Sequence, residues 1–504
     1  MEYKNNDLLK ILTELDLGSG IAEEDDLLED ARIETSVFSD LLMDRVDLIP
    51  GTKGSGKSAL YRIFVEFLPE RLLHQKKIVI AHGVQHHGDP VFHAFKDRFE
   101  KLSEDAFVDF WCIYFVSLIH ENFLKNEIYK PYIQDCDNEI NLFRKACEEA
   151  RIPEIIGKKS LKDILSWCLN ALKEMNLALK IKHGDLEYQA TLFSDKIVTK
   201  TPENKILKTE LPIYVTNVKN ALEKILTKTG LNIWLMVDRL DEIFPRRSEL
   251  ECKALRGLLR TIRFFSSSQI KIKIFLRDDI FENIVKTKDG FTALTHVTSR
   301  KSDTLKWDEA QILDLILKRL LSNELLQKYL NVDMEKFNAS TTYRKELFYQ
   351  IFPDNVYKGE RQSSTLRWIY SHSQDGNGVV TPRDIIYLIT RAKQKQYDIL
   401  SANPEGTSES IFDPQAILYG HEELSQYKKI TFLKAEFPHL WECIEKLIGG
   451  KTQYKSASIK KLFGKNWEDI TNDLISIGVL SKTKDTYDIP FLYRKGLDTS
   501  QGST

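Results

Sequence analysis

An eight-residue glycine-rich string near the N-terminal end constrains the fold more than any other feature. Residues 51–58 read Gly-Thr-Lys-Gly-Ser-Gly-Lys-Ser, the G-x-x-x-x-G-K-S pattern of a phosphate-binding loop. Its glycines let successive backbone N–H groups turn inward around phosphates. The apolar residues 48–49 before the string and the largely apolar residues 59–64 after it predict the strand and the helix that the motif requires. The string therefore predicts a nucleoside triphosphate site rather than a flexible surface turn.

The loop residues have separate expected roles. Lys57 is expected to reach the β- and γ-phosphates, and the Ser58 hydroxyl is expected to bind Mg²⁺. The predicted nucleotide-binding residues are Gly51, Lys53, Gly54, Ser55, Gly56, Lys57, Ser58 and Ala59. The predicted metal ligands are Ser58 and, from a later strand, Asp238.

The segment that supplies Asp238 also supplies two further acids. Residues 233–244 read IWLMVDRLDEIF, an apolar strand that ends in a carboxylate able to hold the water shell of Mg²⁺ opposite Ser58. Asp241 and Glu242 follow within a turn, and either could orient or deprotonate an attacking water. Glu242 is the favoured catalytic base, with Asp241 as the alternative.

Arginines are candidates because phosphoryl transfer spreads negative charge over the γ-phosphate oxygens. Arg277 lies at the end of an apolar run over 270–276, where it could sense the γ-phosphate within its own subunit. Arg383, in Thr-Pro-Arg-Asp, opens a predicted helix and could act as a lid residue. Each of them also fits a surface or ion-pair role. Weaker candidates for a finger that reaches into a neighbouring subunit are Arg246, Arg247 and Arg300.

Apolar runs over 77–81, 233–238 and 270–276 predict three strands in addition to the one before the loop. Their alternation with helical segments predicts an α/β fold with a parallel sheet. Lys271 and Lys273 alternate with apolar residues, which suits a half-exposed strand unless their amines reach water past a helix.

The pattern along the 504 residues predicts four regions. They are an acidic N-terminal arm over 1–44, a nucleotide-binding core over 45–305 with a helical insertion at about 90–228, a helical lid over 306–400, and a winged-helix-like domain over 411–504. The arm is read as a solvated face, or as a cover over the nucleotide base or a neighbouring subunit. A linker is expected at 401–410. Beyond it, residues 437–447, 456–463 and 467–477 are predicted to form three helices, followed by a hairpin of two strands.

Composition narrows the class of protein. The net charge of −2 gives no global reason to expect nucleic acid. Six cysteines without C-x-x-C spacing argue against a disulfide framework and a zinc site. No run of about 18 apolar residues and no basic-apolar leader is present, so we expect a cytoplasmic protein without a membrane partner. A local lysine excess over 451–495 could bind nucleic-acid phosphates or could be a solvated face.

Taken together, the strings GTKGSGKSAL, VDRLDE, FLRDDIF, LKWDEAQILDLILKRL and TPRDIIYLITRA resemble the AAA-like and STAND-like P-loop ATPases of prokaryotes. The similarity is greatest to stand-alone ATPases of bacterial anti-phage defence loci. The resemblance implies an additional-strand (ASCE) core, a helical lid, a C-terminal winged helix and nucleotide-controlled self-assembly. It assigns binding of the phosphates and Mg²⁺ to Lys57, Ser58 and Asp238. It assigns positioning of the attacking water to Glu242 or Asp241, a sensor role to Arg277 and a lid role to Arg383.

One departure from the family bears on the rate of catalysis. Arg239 follows Asp238, where many AAA-type enzymes have their catalytic glutamate. The assignment of a base therefore depends on the later acids, and hydrolysis could be slow.

The function expected from these features is that of a Mg²⁺-dependent ATPase acting as a molecular switch. It would form homo-oligomers and control a separate effector, such as a nuclease or toxin encoded nearby. ATP is expected over GTP from the resemblance and because no guanine-reading N-K-x-D string occurs. The alternatives are a DNA-binding remodeller or loader that uses the winged helix, and a scaffold that binds ATP without hydrolysis.

Overall fold

The computed structural model describes residues 2–83, 99, 102–149, 210–239, 248–265, 269–285, 298–359 and 362–503. The chain divides into two compact units. The α/β unit consists of Ser36–Thr52 and Lys57–Leu305, and the C-terminal unit consists of Met1–Thr35, Lys53–Gly56 and Lys306–Thr504. The predicted boundary between 305 and 306 coincides with one of these divisions.

The described strands are, in chain order, β1 (Tyr3–Lys4), β2 (Leu48–Gly51), β3 (Ile78–His82), β4 (Asn232–Val237), β5 (Ile270–Arg277), β6 (Thr407–Ser408), β7 (Lys451–Lys455), β8 (Ser481–Thr483), β9 (Thr486–Asp488) and β10 (Ser500–Ser503). The strands predicted before the loop and at 77–81, 233–238 and 270–276 are thereby confirmed, with shifts of one or two residues at their ends.

A parallel four-stranded sheet organises the α/β unit. Its strand order is β2-β5-β4-β3, so β5 lies between the strand before the glycine-rich loop and the strand before Asp238. Pairing of Gly51 with Arg277 and of Val237 with Ile274 sets the register. On the other edge of β2, Leu48 forms a parallel bridge with Lys301. The sheet topology thus confirms the prediction of an α/β fold with a parallel sheet.

The described helices of the α/β unit are Ser36–Leu42, Lys57–Arg62, Pro69–Lys76, Glu104–Ile119, Lys130–Ile133, Asp137–Glu149, Glu210–Thr229, Glu249–Phe265 and Asp278–Val285. Within the described residues, the π-helical turns Ile63–Phe67 and His120–Leu124 and the 3-10 turn Glu127–Tyr129 continue or join them.

The reading of β5 as a half-exposed strand is wrong. Lys273 is fully buried, and its ammonium donates to Asp44 Oδ1 at 2.5 Å, Val46 O at 2.8 Å and Asp47 Oδ1 at 2.7 Å. Three acceptors satisfy all three donors of an ammonium group, and two of the three belong to carboxylates. A lysine is therefore compatible with this central strand because its charge is neutralised inside the unit.

The helix Glu104–Ile119 belongs to the core and does not decorate it. Eleven of its residues are buried, and the Trp111 indole N–H donates to Ala254 O at 2.8 Å. Glycine at position 257 permits this packing, because a Cβ there would come within 2.6 Å of the Phe107 side chain. In the described part of the chain, Glu104–Leu124 alone has the length and apolarity of a membrane span, but 67% of its apolar 18-residue window is buried in the protein, as in a core helix.

The N-terminal residues do not form a separate acidic arm. The helix Asn5–Glu14 buries Leu8, Ile11 and Leu12 against helix Pro382–Ser401, because these residues recur at helical spacing. Strand β1 pairs antiparallel with β6, which lies inside the predicted linker. Residues 1–35 thus group with the C-terminal unit and 36–44 with the α/β unit.

The other helices of the C-terminal unit are Glu309–Leu320, Glu324–Tyr329, Met334–Ala339, Thr341–Ile351, Thr365–His372, Pro382–Ser401, Pro414–Lys428, Trp441–Glu445, Ser456–Phe463, Trp467–Ser476 and Phe491–Arg494. A π-helical segment, Lys429–Lys434, and the 3-10 turns Ala22–Glu24, Pro438–Leu440 and Gly464–Asn466 complete its helical structure.

Residues 437–477 contain the three predicted helices, two of them at the predicted positions and the third in a shorter form. Helices Ser456–Phe463 and Trp467–Ser476 are followed by the β8–β9 hairpin, whose turn places Lys484 at φ +52°. The helix predicted at 437–447 is shorter, because Pro438 begins a 3-10 turn and Trp441–Glu445 is the α-helical part. The sheet order is β10-β7-β9-β8.

Two histidines, the half-buried His372 and the buried His421, connect three helices of the C-terminal unit. The His372 ring stacks between Trp368, at 4.0 Å, and Phe491, at 4.1 Å between ring centroids. His421 Nε2 lies 3.1 Å from His372 O, to which it can donate. Burial lowers the pKa of His372 to about 3 and that of His421 to about 4.

These two rings predict acid sensitivity of the C-terminal unit. The unfolded chain binds protons at both rings below their ordinary pKa of 6.5, whereas the folded chain does not until about pH 4, so stability falls as pH drops through that window. At pH 5 the loss is about 2 kcal/mol per imidazole, since one pKa unit corresponds to about 1.4 kcal/mol. Urea unfolding at pH 7 and pH 5 measures it.

The variant His372→Phe is the control for this effect, because phenylalanine keeps an aromatic ring between Trp368 and Phe491 without titrating. We expect it to lose about half as much stability as the wild type over the same pH interval. An equal loss in both proteins would assign the acid sensitivity to other groups.

Candidate nucleotide site

The glycine-rich loop joins β2 to the helix Lys57–Arg62, as predicted. Gly54 and Gly56 have φ values of +83° and +98°, in the left-handed region that glycine adopts without a steric cost. A Cβ on Gly54 would also lie 3.3 Å from Thr381 Oγ1 and 3.4 Å from Arg383 Cβ. The loop conformation therefore requires glycine at these two positions.

Lys57 is held by carbonyl groups of the loop itself. Its ammonium donates to Gly51 O and Thr52 O, both at 2.7 Å. A lysine side chain is a flexible point charge, so it can exchange these neutral carbonyls for phosphate oxygens, which carry full negative charge.

Two hydroxyl groups in the loop fit a polar ligand. Ser55 Oγ and Thr52 Oγ1 are buried and have no hydrogen-bond partner within the part of the chain that the structure describes. Buried polar atoms are normally hydrogen-bonded. Together with the glycine conformations and Lys57, these unpartnered hydroxyls fit a triphosphate and its Mg²⁺.

Residues Lys53–Gly56 group with the C-terminal unit, and several side chains of that unit hold them. The Trp307 indole N–H donates to Ser55 O at 2.8 Å. Lys53 forms an ion pair with Glu436, and Gly54 lies against Thr381 and Arg383.

Arg383 lies next to the loop, in the first turn of helix Pro382–Ser401. Thr381 caps this helix by accepting from the Asp384 N–H at 3.2 Å. Arg383 Nε donates to Gly20 O at 2.9 Å, so the N-terminal segment orients the guanidinium. The structure thus places the predicted lid arginine within contact of Gly54.

Asp238 directly follows β4, at the carboxyl end of the strand. Because β2, β5 and β4 are parallel neighbours, their carboxyl ends share the edge of the sheet at which the loop begins. The next residue, Arg239, has φ +57°, so the chain turns immediately after the carboxylate. Both candidate bases, Asp241 and Glu242, lie outside the described residues, as do Arg246 and Arg247.

Arg277 is the last residue of β5 and pairs in register with Gly51. The residue is 7% exposed, and its guanidinium donates to both oxygens of Asp279, at 2.9 and 2.8 Å. Arg300, a finger candidate, instead pairs with Asp47 inside its own unit, at 2.5 Å. The backbone of Arg277 therefore lies beside the loop strand, while its side chain is held by a carboxylate two residues away.

Asp278 is a candidate that the sequence reasoning missed. Burial raises the pKa of its carboxyl, while the neighbouring ammonium groups of Lys57 and Lys301 lower it. The Thr304 hydroxyl lies 3.4 Å from its Oδ1. The signal was present in the string LRDD, where an acid follows Arg277 at the end of the strand beside the loop.

His82, the last residue of β3, is the described member of a group of histidines that continues at 86, 87 and 93. His82 Nδ1 contacts Gly83 O at 3.1 Å, and burial lowers the pKa of its ring. His86, His87 and His93 lie outside the described residues. Among the described residues, no group of three or more His, Cys, Asp or Glu side chains could hold a metal ion.

No protein-family model and no curated protein sequence matches the chain. The likeness to prokaryotic P-loop ATPases therefore depends on the sequence motifs, and the function is inferred from these motifs and from the geometry around the loop.

Proposed function

We propose that the chain binds Mg²⁺-ATP at residues 51–58 and hydrolyses it as a cytoplasmic molecular switch. The observation that carries the proposal is a glycine-rich loop in a strand-loop-helix setting, at the edge where the strand of Asp238 also ends. Strand β5 between β2 and β4 supports the additional-strand core that the resemblance implies. The switch would form homo-oligomers and control a separate nuclease or toxin in anti-phage defence.

The loop residues divide the work of binding. Lys57 leaves the carbonyls of Gly51 and Thr52 for the β- and γ-phosphates, and the backbone N–H groups of the glycine turns donate to phosphate oxygens. Ser58 and Asp238 would hold Mg²⁺, which neutralises charge on the β- and γ-phosphates when bound. Arg383, whose Cβ lies near Gly54 and whose Nε donates to Gly20 O, keeps the proposed role of a lid arginine.

Hydrolysis needs a group that orients the attacking water. In this proposal Glu242 or Asp241 accepts a hydrogen bond from that water and takes its proton. Asp278, beside Lys57, is a further carboxylate and directly follows β5. Arg277 positions the strand end through its pair with Asp279.

The double variant Asp241→Asn/Glu242→Gln tests hydrolysis. Amides keep the shape of both side chains but cannot take a proton, so turnover should fall about 10²-fold or more while ATP affinity stays near that of the wild type. Phosphate release and calorimetric ATP titration measure the two quantities. The matched control changes two exposed acids of helix Trp467–Ser476, Glu468→Gln/Asp469→Asn. Turnover that is unchanged in both variants would show that neither Asp241 nor Glu242 is the base, and ATP binding without turnover in the wild type would favour the scaffold.

Control of an effector is tested by assembly mass. The wild-type chain is purified with the products of neighbouring genes, and its mass is measured with and without ATP. A nucleotide-dependent change in mass or composition supports the switch, and an assembly that is indifferent to ATP counts against it.

Exposed lysines favour DNA binding as a second candidate. In the C-terminal segment, Lys455, Lys460, Lys461, Lys465, Lys482, Lys484 and Lys495 are exposed. Such a surface can contact phosphates, and the two helices with the β8–β9 hairpin resemble a winged helix. DNA-stimulated turnover and steeply salt-dependent DNA binding would support a remodeller or loader.

A further inference from the structure

One hydrogen bond from a distant tryptophan reaches the backbone of the glycine-rich loop: the Trp307 indole N–H donates to Ser55 O at 2.8 Å. We propose that Trp307 is a positioning residue for phosphate binding, because this bond orients the Ser55–Gly56 peptide so that the Gly56 N–H faces the bound triphosphate. The inference rests on the proposed ATP site and adds to it a residue, 252 positions away in the chain, that sets the conformation of the loop.

The bond sets the direction of both polar groups of the peptide. In a planar trans peptide, the C=O of one residue and the N–H of the next point to opposite sides. Because Ser55 O is directed at the indole, the Gly56 N–H is directed away from it. No group in the described part of the chain accepts a hydrogen bond from this N–H, so it is available to an anion.

The glycine at position 56 makes such a bond necessary. Gly56 has φ +98°, and glycine adopts positive φ values about as readily as negative ones. Rotation of the Ser55–Gly56 peptide therefore meets little steric resistance, and it would turn Ser55 O towards the phosphates in place of the N–H. A carbonyl oxygen carries partial negative charge and repels a phosphate, so only the orientation with the N–H inward binds one.

Trp307 is itself anchored by two helices of the C-terminal unit. Its carbonyl accepts from the Tyr370 hydroxyl at 3.2 Å, in helix Thr365–His372. The next residue, Asp308, caps helix Glu309–Leu320 with its side chain. The indole is half-buried and packs against the apolar core of the same unit. The position of the indole N–H is thus fixed by folded helices and not by the loop.

The variant Trp307→Phe tests the positioning role. Phenylalanine keeps an aromatic ring but cannot donate, so the peptide is in the binding orientation in only part of the molecules, and ATP affinity should fall about three- to tenfold. Inorganic tripolyphosphate, which has no base or ribose, should lose affinity by the same factor. Turnover at saturating ATP should stay within about twofold of the wild type, because the bound phosphates themselves select the orientation. Calorimetry and phosphate release measure these quantities in the full chain.

The variant Trp441→Phe is the matched control. The Trp441 indole N–H also donates to one acceptor, Glu445 Oε1 at 2.6 Å, but this acceptor lies in its own helix, Trp441–Glu445. We expect the variant to keep wild-type affinity for ATP and for tripolyphosphate. A loss equal to that of Trp307→Phe would show that the effect does not depend on the bond to Ser55 and would overturn the role.

The results distinguish this inference from the ATP site itself. If the wild type binds ATP but Trp307→Phe binds both ligands as tightly, or loses affinity for ATP alone, the positioning role is wrong and the nucleotide site stands. If the wild type binds neither ligand, both are wrong. Should Trp307→Phe fail to fold, Tyr370→Phe replaces it, because it removes the hydrogen bond that supports the Trp307 carbonyl: an equal loss for the two ligands supports the role, and unchanged affinities overturn it.

Discussion

The variant Lys57→Ala is expected to lose ATP binding, with a fall in affinity of about 10²-fold or more. The variant removes hydrogen bonds between an ammonium and phosphate oxygens, and hydrogen bonds between charged groups are stronger than those between neutral groups. In the proposed site, the ammonium of Lys57 is the main cation for the β- and γ-phosphates. In the structure it lies at the loop, 2.7 Å from Gly51 O and from Thr52 O. Calorimetric titration with ATP and Mg²⁺ measures the change.

A second lysine of the α/β unit provides the matched control. Lys76 also donates to a backbone carbonyl, that of Leu42 at 2.5 Å. It lies at the end of helix Pro69–Lys76, which is not the helix that follows the glycine-rich loop. We expect Lys76→Ala to keep wild-type ATP affinity. Tight ATP binding that persists in Lys57→Ala, with an unchanged thermal unfolding midpoint, would contradict the assignment of the site.

Short-range patterns account for the elements that the sequence predicted. Continuous apolar runs identified β3, β4 and β5, and the spacing of apolar residues identified helices such as Ser456–Phe463. The same local logic found the glycine-rich loop, because its strand, glycines and lysine are contiguous. Each of these features is specified within about ten residues of chain, the range over which periodicity is informative.

Burial of charge could not be predicted in this way. Lys273 lies in a central strand because Asp44 and Asp47 neutralise it, and those residues are 229 and 226 positions away. An alternation of lysine with apolar residues is equally compatible with a solvent-exposed face. Only the pairing of β5 with β2 on one side and β4 on the other shows that this strand is central and not solvent-exposed.

The surroundings of the loop were missed for a related reason. Trp307 and Glu436 contact it across 252 and 383 positions, and neither belongs to a motif that names its partner. Asp278 differs from these two residues, because it directly follows the candidate Arg277 in the sequence. Acids at the ends of strands that neighbour a loop strand are candidates even where an arginine precedes them.

The ion pair between Asp25 and Arg319 predicts the largest change in stability. Arg319 Nη2 and Nη1 donate to the two carboxylate oxygens at 2.6 and 3.1 Å, and the side chains are only 2% and 6% exposed. Replacement Asp25→Ala leaves a buried guanidinium without its anion, so the free energy of unfolding should fall by about 3–5 kcal/mol. Urea unfolding of the full chain, followed by circular dichroism, measures the loss.

Two controls assign that loss to the buried charge. The double variant Asp25→Leu/Arg319→Met replaces both charges with apolar groups and should lie within about 1–2 kcal/mol of the wild type, because buried pairs often gain little over hydrophobic packing. Asp30→Ala changes an exposed acid nearby and should cost about 0.5 kcal/mol or less. If Asp25→Ala were as mild as Asp30→Ala, residues 1–35 would not be anchored by this pair. A large loss confined to Asp25→Ala would show that this pair anchors residues 1–35 in the folded C-terminal unit. The pair would then also hold in place the Gly20 carbonyl, which orients Arg383.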